Sequence, residues 1–219
     1  LGLIADRYQF RDRRTGAIAE FDLAALQADT RHPYRVQTEQ WRMTQLVWDK
    51  LQREYPTTTC LLDHSVKGVH QDSHGVEVLV WTSQGEKIIE GSFLLGCDGA
   101  DSNVRKATAI SFEGFTYPEK FLVASTPFPL ETKFDRLSLV NYVSDPDEWL
   151  VLLKTTSLWR VLIPTDPNNT DDSLFLSDAW IQDRLQHMAP HSEPYEIGHR
   201  TLYRVHQRVA KTYRRGRVL

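Results

Sequence analysis

The sequence predicts an α+β fold, and three observations carry that prediction. Apolar residues come in alternating or short runs over residues 66–81 and again over 121–163, the pattern of half-buried strands. Residues 37–54 instead place Met43, Leu46, Val47 and Leu51 at spacings of three and four, the period of an amphipathic helix. A second helical stretch, 173–188, carries Leu174, Leu176, Ala179, Ile181 and Leu185 and ends at Ala189-Pro190.

In chain order, residues 4–22 read as two short strands around the turn Arg13-Arg14-Thr15-Gly16, where Gly16 allows a positive φ. The helix over 37–54 has Thr38 as its candidate cap and Pro56 just beyond its end. Val66, Val69, Val76, Val78, Val80 and Trp81, with turns at Ser73-His74-Gly75 and Ser83-Gln84-Gly85, predict a three-stranded antiparallel meander. A fourth strand is expected from Gly91 to Leu95, and a short helix from about Asp101 to Ala107. Further strands are expected at Phe121–Ala124, Leu137–Val143, Trp149–Leu153 and Trp159–Ile163, and a last one near Tyr195–Tyr203. No repeat or low-complexity segment interrupts this order.

Composition bounds the function. With 219 residues, one large or two small domains fit. Apolar residues make up 41% and charged residues 25%, which suits a globular chain with a real core. The net charge of −3 gives no strong pull on nucleic acid or anionic membrane. The basic tail of Arg204, Arg208, Lys211, Arg214, Arg215 and Arg217 therefore reads as a solvated face, with no aromatic platform beside it. Two cysteines, Cys60 and Cys97, form no CxxC pattern, so a reduced cytoplasmic setting is expected. No apolar run approaches the roughly 20 residues of a membrane helix, and no signal peptide is visible. His187 and His191 have a ligand-like spacing, but Pro190 breaks the helix that would face them together, and no metal is expected. Asn168-Asn169-Thr170 matches the glycosylation pattern and is read as chance. Both ends read as cut, so the chain is expected to be an internal piece of a longer protein, inactive alone.

The segment that points to chemistry is Gly96-Cys97-Asp98-Gly99-Ala100-Asp101-Ser102-Asn103-Val104-Arg105. Its glycines let the backbone approach a ligand closely. A following helix N-terminus offers free amides and a positive dipole end to phosphate or ribose oxygens. Asp98 can accept from a sugar hydroxyl, and Arg105 can make a forked contact to phosphate or to a neighbouring carboxylate. An ordinary tight turn capped by Asp101 or Ser102 accounts for the same residues.

This segment resembles the Asp-Gly fingerprint of the class A FAD-dependent aromatic monooxygenases, the para-hydroxybenzoate hydroxylase-like family, with Gly, Asp, Gly, Ser and Arg at the expected spacings. Gln40-Trp41-Arg42-Met43, opening the first helix, is similar to the place where the family sets a Gln or Arg to reach the flavin. The run from Tyr203 to Ala210 into Gly216-Arg217-Val218-Leu219 is similar to the approach to the family's second flavin motif, which the chain does not contain. A G-x-G-x-x-G after an early strand is absent too.

The resemblance implies two parts. Residues 29–115 and 205–219 would belong to an FAD-binding domain of helix, meander and Asp-Gly strand-turn-helix. Residues 1–28 (a hairpin region) and 116–204 would form a mixed, mostly antiparallel substrate-domain sheet. It implies FAD as cofactor, NAD(P)H as electron donor, molecular oxygen and a small aromatic substrate as partners, and hydroxylation through a flavin hydroperoxide. By resemblance, the cofactor contacts are Asp98, Gly99, Gln40, Arg105 and Val66, the last through its backbone. The bland readings are a turn Asp, a solvated helix Gln, a salt-bridged Arg and a core Val. Tyr142, Trp149 and Trp159, with Phe175, supply aromatic surface, some of it for a substrate pocket and more of it for sheet core, because alternating strands bury one face anyway. No catalytic residue is assigned, because the cofactor carries the difficult chemistry. The alternatives are a non-catalytic binding or scaffold module on the same fold, and another flavoenzyme of that fold, an epoxidase, halogenase or reductase.

Overall fold

The computed structural model describes residues 2–219. The chain divides into two compact units, Leu1–Glu54 with Tyr117–Val205, and Tyr55–Thr116 with His206–Leu219. In chain order the elements are β1 (Leu3–Ala5), β2 (Arg7–Asp12), β3 (Gly16–Asp22), β4 (Arg35–Gln37), α1 (Gln40–Glu54), β5 (Ser65–Gln71), β6 (Val76–Thr82), β7 (Gly85–Gly91), α2 (Asn103–Ala107), β8 (Phe112–Thr126), β9 (Val140–Ser144), β10 (Leu150–Lys154), β11 (Trp159–Pro164), α3 (Asp172–Phe175), α4 (Asp178–Met188) and β12 (His199–Ala210). Among the described residues, no helix is long and apolar enough to cross a membrane.

A seven-stranded sheet runs in the order β12-β8-β11-β10-β9-β2-β3. Its β8–β11, β11–β10, β10–β9 and β2–β3 pairs are antiparallel, and β2–β9 is parallel. Strand alternation decides its two faces. Leu122, Ala124, Leu150, Leu152, Trp159, Val161 and Ile163 point to one side and pack on Ile181, Leu185 and Met188 of α4. Those three helix residues recur at spacings of four and three, so they share one stripe. The opposite face carries Phe121, Val123, Val151, Leu153 and Leu162, which this core cluster does not include.

The expected helix over 173–188 is two helices. Asp171 caps α3, and the Ser177 hydroxyl accepts from the Trp180 amide to start α4, so a chain break falls where the apolar pattern shows none. The last strand begins at His199, later than expected, and continues to Ala210 through residues read as a basic tail. That tail is less solvated than expected. The Arg215 guanidinium donates to the Thr108 carbonyl, and Arg217 donates to the Ser92 and Ser73 carbonyls.

In the second unit, β5, β6 and β7 form the predicted antiparallel meander. Its first turn depends on Asp72, whose Oδ1 accepts from the amides of His74 and Gly75 at 2.7 and 2.9 Å. Asp12 does the same for the β2–β3 turn through the amides of Arg14 and Thr15. The fourth strand, Gly91–Leu95, is not part of the meander: β7 ends at Gly91, and Leu94 makes an isolated parallel bridge to Val218. Val218 and Val104 close this unit's small core with Val76.

Residues 29–54, expected with the meander, group by contact with the large sheet. The physical ties are the β1–β4 pairing and a buried anchor at the start of α1. Glu39 is buried, and its carboxylate accepts from Arg42 Nε at 2.8 Å and from the Ser157 hydroxyl at 3.1 Å. Burial opposes its ionisation, but hydrogen bonds from Thr155, from its own backbone, from Ser157 and from Arg42 outweigh burial and draw its pKa from 4.5 to about 2. A depressed carboxylate pKa contributes stability that is present above the unfolded value and lost as pH falls through the folded one. Wild-type protein is therefore expected to lose about 3 kcal/mol at this residue between pH 4.5 and about pH 2. Glu39→Gln should be destabilised at neutral pH and should lack that acid-dependent loss. Urea titrations of both proteins at pH 7 and pH 3 check this; an equal acid loss in the two would contradict it.

Helix α1 itself buries no residue within the chain, and Met43, Leu46 and Val47 of its apolar face are exposed.

Candidate functional site

The Gly96–Arg105 segment is built on a close strand-to-helix approach. The Leu94 amide donates to the Arg217 carbonyl, Leu219 to Leu94, and Gly96 to Leu219, at 3.0, 2.8 and 2.7 Å. This short parallel ladder runs into α2, which lies directly on it. A Cβ at Gly96 would stand 2.8 Å from Val104 Cγ1, so only glycine admits the contact. Gly99 is required for a different reason: its φ is +81°, and nothing lies within 4 Å of where its Cβ would be. The backbone there is turned outward and uncovered.

Asp98 sits between these glycines and organises the turn. One carboxylate oxygen accepts from the Ser102 hydroxyl at 2.5 Å, and the other from the amides of Asn103 and Val104 at 2.7 and 3.1 Å. Ser102 in turn caps α2 by accepting from the Arg105 amide at 2.9 Å. Burial raises the Asp98 pKa, but these hydrogen bonds outweigh it and hold the group below the ordinary aspartate value. Asp98 is therefore an ionised acceptor. The expected free amides at this helix start are taken up by Asp98 and Ser102, because the side chains supply the acceptors that a phosphate would have supplied. The Ser102 hydroxyl and the amides of Asn103, Val104 and Asp98 itself all donate to this carboxylate, while the residue as a whole is exposed.

Arg105 lies beside the turn, 4.6 Å over the Phe112 ring. It makes long hydrogen bonds of 3.4 Å to the carbonyls of Ile110 and Ala100, and its Nε is buried without a partner. The alternative of a salt bridge to a carboxylate finds no ion pair for it among the described residues. Arg105 borders two openings of this unit. One, of about 220 Å³, also touches Gly99, Ser102, Phe112, Tyr213 and Leu219. The other, of about 580 Å³, is lined by Asp101, Thr116, His206 and Arg208. There Thr116 Oγ1 bonds His206 Nδ1 at 2.8 Å and accepts from Arg208. An orphaned guanidinium donor and an uncovered left-handed glycine, both on a cavity, fit one section of a bound dinucleotide.

The other sequence-predicted residues separate. The Val66 carbonyl accepts from Asn103 Nδ2 at 3.1 Å, tying β5 to α2, while its side chain packs in the small core. Gln40 is the exposed first residue of α1, in the first unit, behind the anchored Glu39. Tyr142 and Trp149 are on the large sheet and partly open. Tyr142 is stacked on Phe10 with centroids 5.1 Å apart, and Trp149 lies 5.5 Å from Phe121. Trp159 is corrected: at 1% exposure it belongs to the core beneath the sheet and offers no surface to a substrate. Phe175 is likewise buried. Among the described residues, no three His, Cys, Asp or Glu side chains group as a metal site. Sequence reasoning missed Asn103, Thr116 and Glu39, whose roles depend on neighbours distant in the chain.

One unit thus carries a glycine-rich strand-turn-helix with an ionised carboxylate, and the other a helix-backed sheet with aromatic side chains on its open face. Residues 7–219 match the family model described as FAD binding domain, and the chain belongs to that family. It is 33% identical over 221 residues to para-nitrophenol 4-monooxygenase of Pseudomonas sp. (strain WBC-3), covering 97% of this chain and 52% of that protein. It is 27% identical to 6-hydroxy-3-succinoylpyridine 3-monooxygenase of Pseudomonas putida (strain S16), covering 100% of this chain and 55% of that protein. The crystal structure of p-nitrophenol 4-monooxygenase from Pseudomonas putida DLL-E4 superposes with a TM-score of 0.89 at 26% identity, over 100% of this chain and 55% of that one. The fold is shared with aklavinone-11 hydroxylase, solved with FAD and aklavinone, at a TM-score of 0.82 and 15% identity, over 99% of this chain and 42% of that one. The chain spans about half the length of the curated relatives it matches. The resemblance to class A FAD-dependent aromatic monooxygenases, and FAD as the family's cofactor, thus stand on the whole chain rather than on one motif.

Proposed function

We propose that the protein is an FAD- and NAD(P)H-dependent monooxygenase that hydroxylates a small phenolic or related aromatic ring. The observation that carries this reading is family membership over residues 7–219, joined to relatives whose names describe oxygenation of nitrophenol and hydroxypyridine rings. FAD, when bound, supplies the redox chemistry and the activation of oxygen. The chain's own residues position and shield. Gly99 gives the backbone close approach, Asp98 presents its exposed, ionised carboxylate to a hydroxyl, and Arg105 offers its unpaired Nε. Gln40 is a further candidate contact, held in place by Glu39.

The domain roles follow the same reading: the unit with the meander and Asp-Gly turn contacts the cofactor, and the sheet unit receives the substrate. The full-length, FAD-loaded protein is expected to consume oxygen and NADH or NADPH in equal amounts when given a phenol that it hydroxylates, and little of either without it. An oxygen electrode and nucleotide absorbance, run across a panel of small phenols and hydroxypyridines, make the test. An FAD-loaded protein that shows no ring-dependent oxygen uptake with any of them contradicts the proposal.

A further inference from the structure

The connection between β9 and β10, residues 145–149, is tied to two other elements by charged side chains that the proposed reaction does not use. Asp145 builds the connection itself, its Oδ1 accepting from the amides of Asp147 and Glu148 at 2.9 and 3.3 Å. Arg13, in the β2–β3 turn, donates its amide to the Ser144 carbonyl at 3.0 Å and places Nη1 3.9 Å from Asp145 Oδ2. From α4, Arg184 Nη1 donates to Glu148 Oε1 at a long 3.5 Å. Strand alternation into β10 turns Glu148 to the α4 side, with the core residue Leu150, and sends Trp149 to the open face beside Phe121.

The cluster is enclosed yet incompletely paired. The side chains of Arg13, Asp145 and Glu148 keep 9%, 6% and 11% of their exposure. Arg13 Nη2, Glu148 Oε2 and Arg184 Nε are all buried without a hydrogen-bond partner. An unpaired oxygen is far more costly to bury on an ionised carboxylate than on a neutral acid. The charged and titratable groups that face Glu148 are Arg184 and His187 of α4, Arg13 of the β2–β3 turn, and Asp145 of its own connection. Burial pushes the Glu148 pKa above the ordinary glutamate value; Arg184, Arg13 and His187 oppose that rise, and Asp145 adds to it. A carboxylate shifted upward favours the folded chain in its neutral form. Its contribution is present below the unfolded value and lost as pH rises through the folded one.

We propose that Glu148 is a proton-operated latch: neutral, it seats the β9–β10 connection against α4, and ionised, it releases that connection together with Trp149. An ordinary structural ion pair between Glu148 and Arg184 predicts the reverse, a connection held most firmly when Glu148 is charged.

The test is amide hydrogen exchange of Asp147 and Glu148 in the full-length protein, in steps from about pH 4.5 to about pH 8.5, with the intrinsic exchange rate divided out at each step. In the wild type, protection of these amides is expected to fall roughly tenfold as pH rises, the change that one unit of pKa displacement produces. Glu148→Gln cannot ionise and should keep the acid-form protection throughout. Arg184→Met removes a cation that favours the ionised form, so its transition should move to higher pH. Protection that rises with pH in the wild type, or that does not change, overturns the latch without reference to any variant. An equal pH dependence in Glu148→Gln also overturns it and assigns the effect to another group, such as His187. An Arg184→Met protein that is less protected at every pH, with the transition unmoved, overturns it in favour of the structural pair.

Discussion

Trp159→Ala is expected to destabilise the full-length protein by about 3–5 kcal/mol, the cost of removing a large buried aromatic side chain and leaving a cavity. Trp159 is fully enclosed among Leu122, Ala124, Val161 and the α4 side chains, so the surroundings can collapse only in part. The loss is compounded at the indole edge. Nε1 donates to Glu131 Oε2 at 2.5 Å, and Lys154 lies 5.1 Å from the ring and 3.7 Å from Glu131. Burial raises the Glu131 pKa, but hydrogen bonds from its own backbone and Trp159, with the Lys154 charge, lower it below the ordinary value, so the truncated protein leaves a carboxylate with fewer donors. Trp159→Phe keeps most of the packing and should cost far less. Urea denaturation of the two variants separates a core residue from a pocket residue. A near-wild-type stability for Trp159→Ala, with altered substrate affinity, would return Trp159 to the pocket.

Asp98→Ala should have the second large effect, on both the turn and the cofactor. It removes the acceptor for three donors at once, the Ser102 hydroxyl and the amides of Asn103 and Val104. Loss of a capping carboxylate costs about 1–2 kcal/mol, and α2 has only five residues with which to absorb it. The Gly99 backbone and Arg105 are positioned by this turn, so FAD retention in the full-length protein should fall by roughly tenfold or more. Asp98→Asn, with one carbonyl oxygen in place of two carboxylate oxygens, should lie between. Retained flavin per polypeptide after gel filtration is the readout. Wild-type retention in Asp98→Ala would leave the turn, not the cofactor, as the reason for this residue.

What could be read in the sequence and what could not divide along a physical line. The meander was legible because β5, β6 and β7 obey a period of two and their turns carry Gly75 and Gly85. The Asp-Gly turn was legible because glycine is demanded by local geometry at Gly96 and Gly99. The split between α3 and α4 was hidden, since the apolar pattern continues through a break made by one serine hydroxyl. The role of Leu94 was hidden for another reason: its partner, Val218, lies 124 residues along the chain. Trp149 and Trp159 look alike in sequence, each opening an apolar run, yet one is half-exposed and the other is fully buried. Alternation identifies two faces but not which face a helix will cover.

The central claim is that this chain contributes one wall of an FAD site in a monooxygenase. The most direct measurement is the visible absorbance of the purified full-length protein, followed by identification of the released chromophore. The protein is expected to be yellow and to release stoichiometric FAD, or to take up added FAD to that level. A colourless protein that binds no added FAD would contradict it.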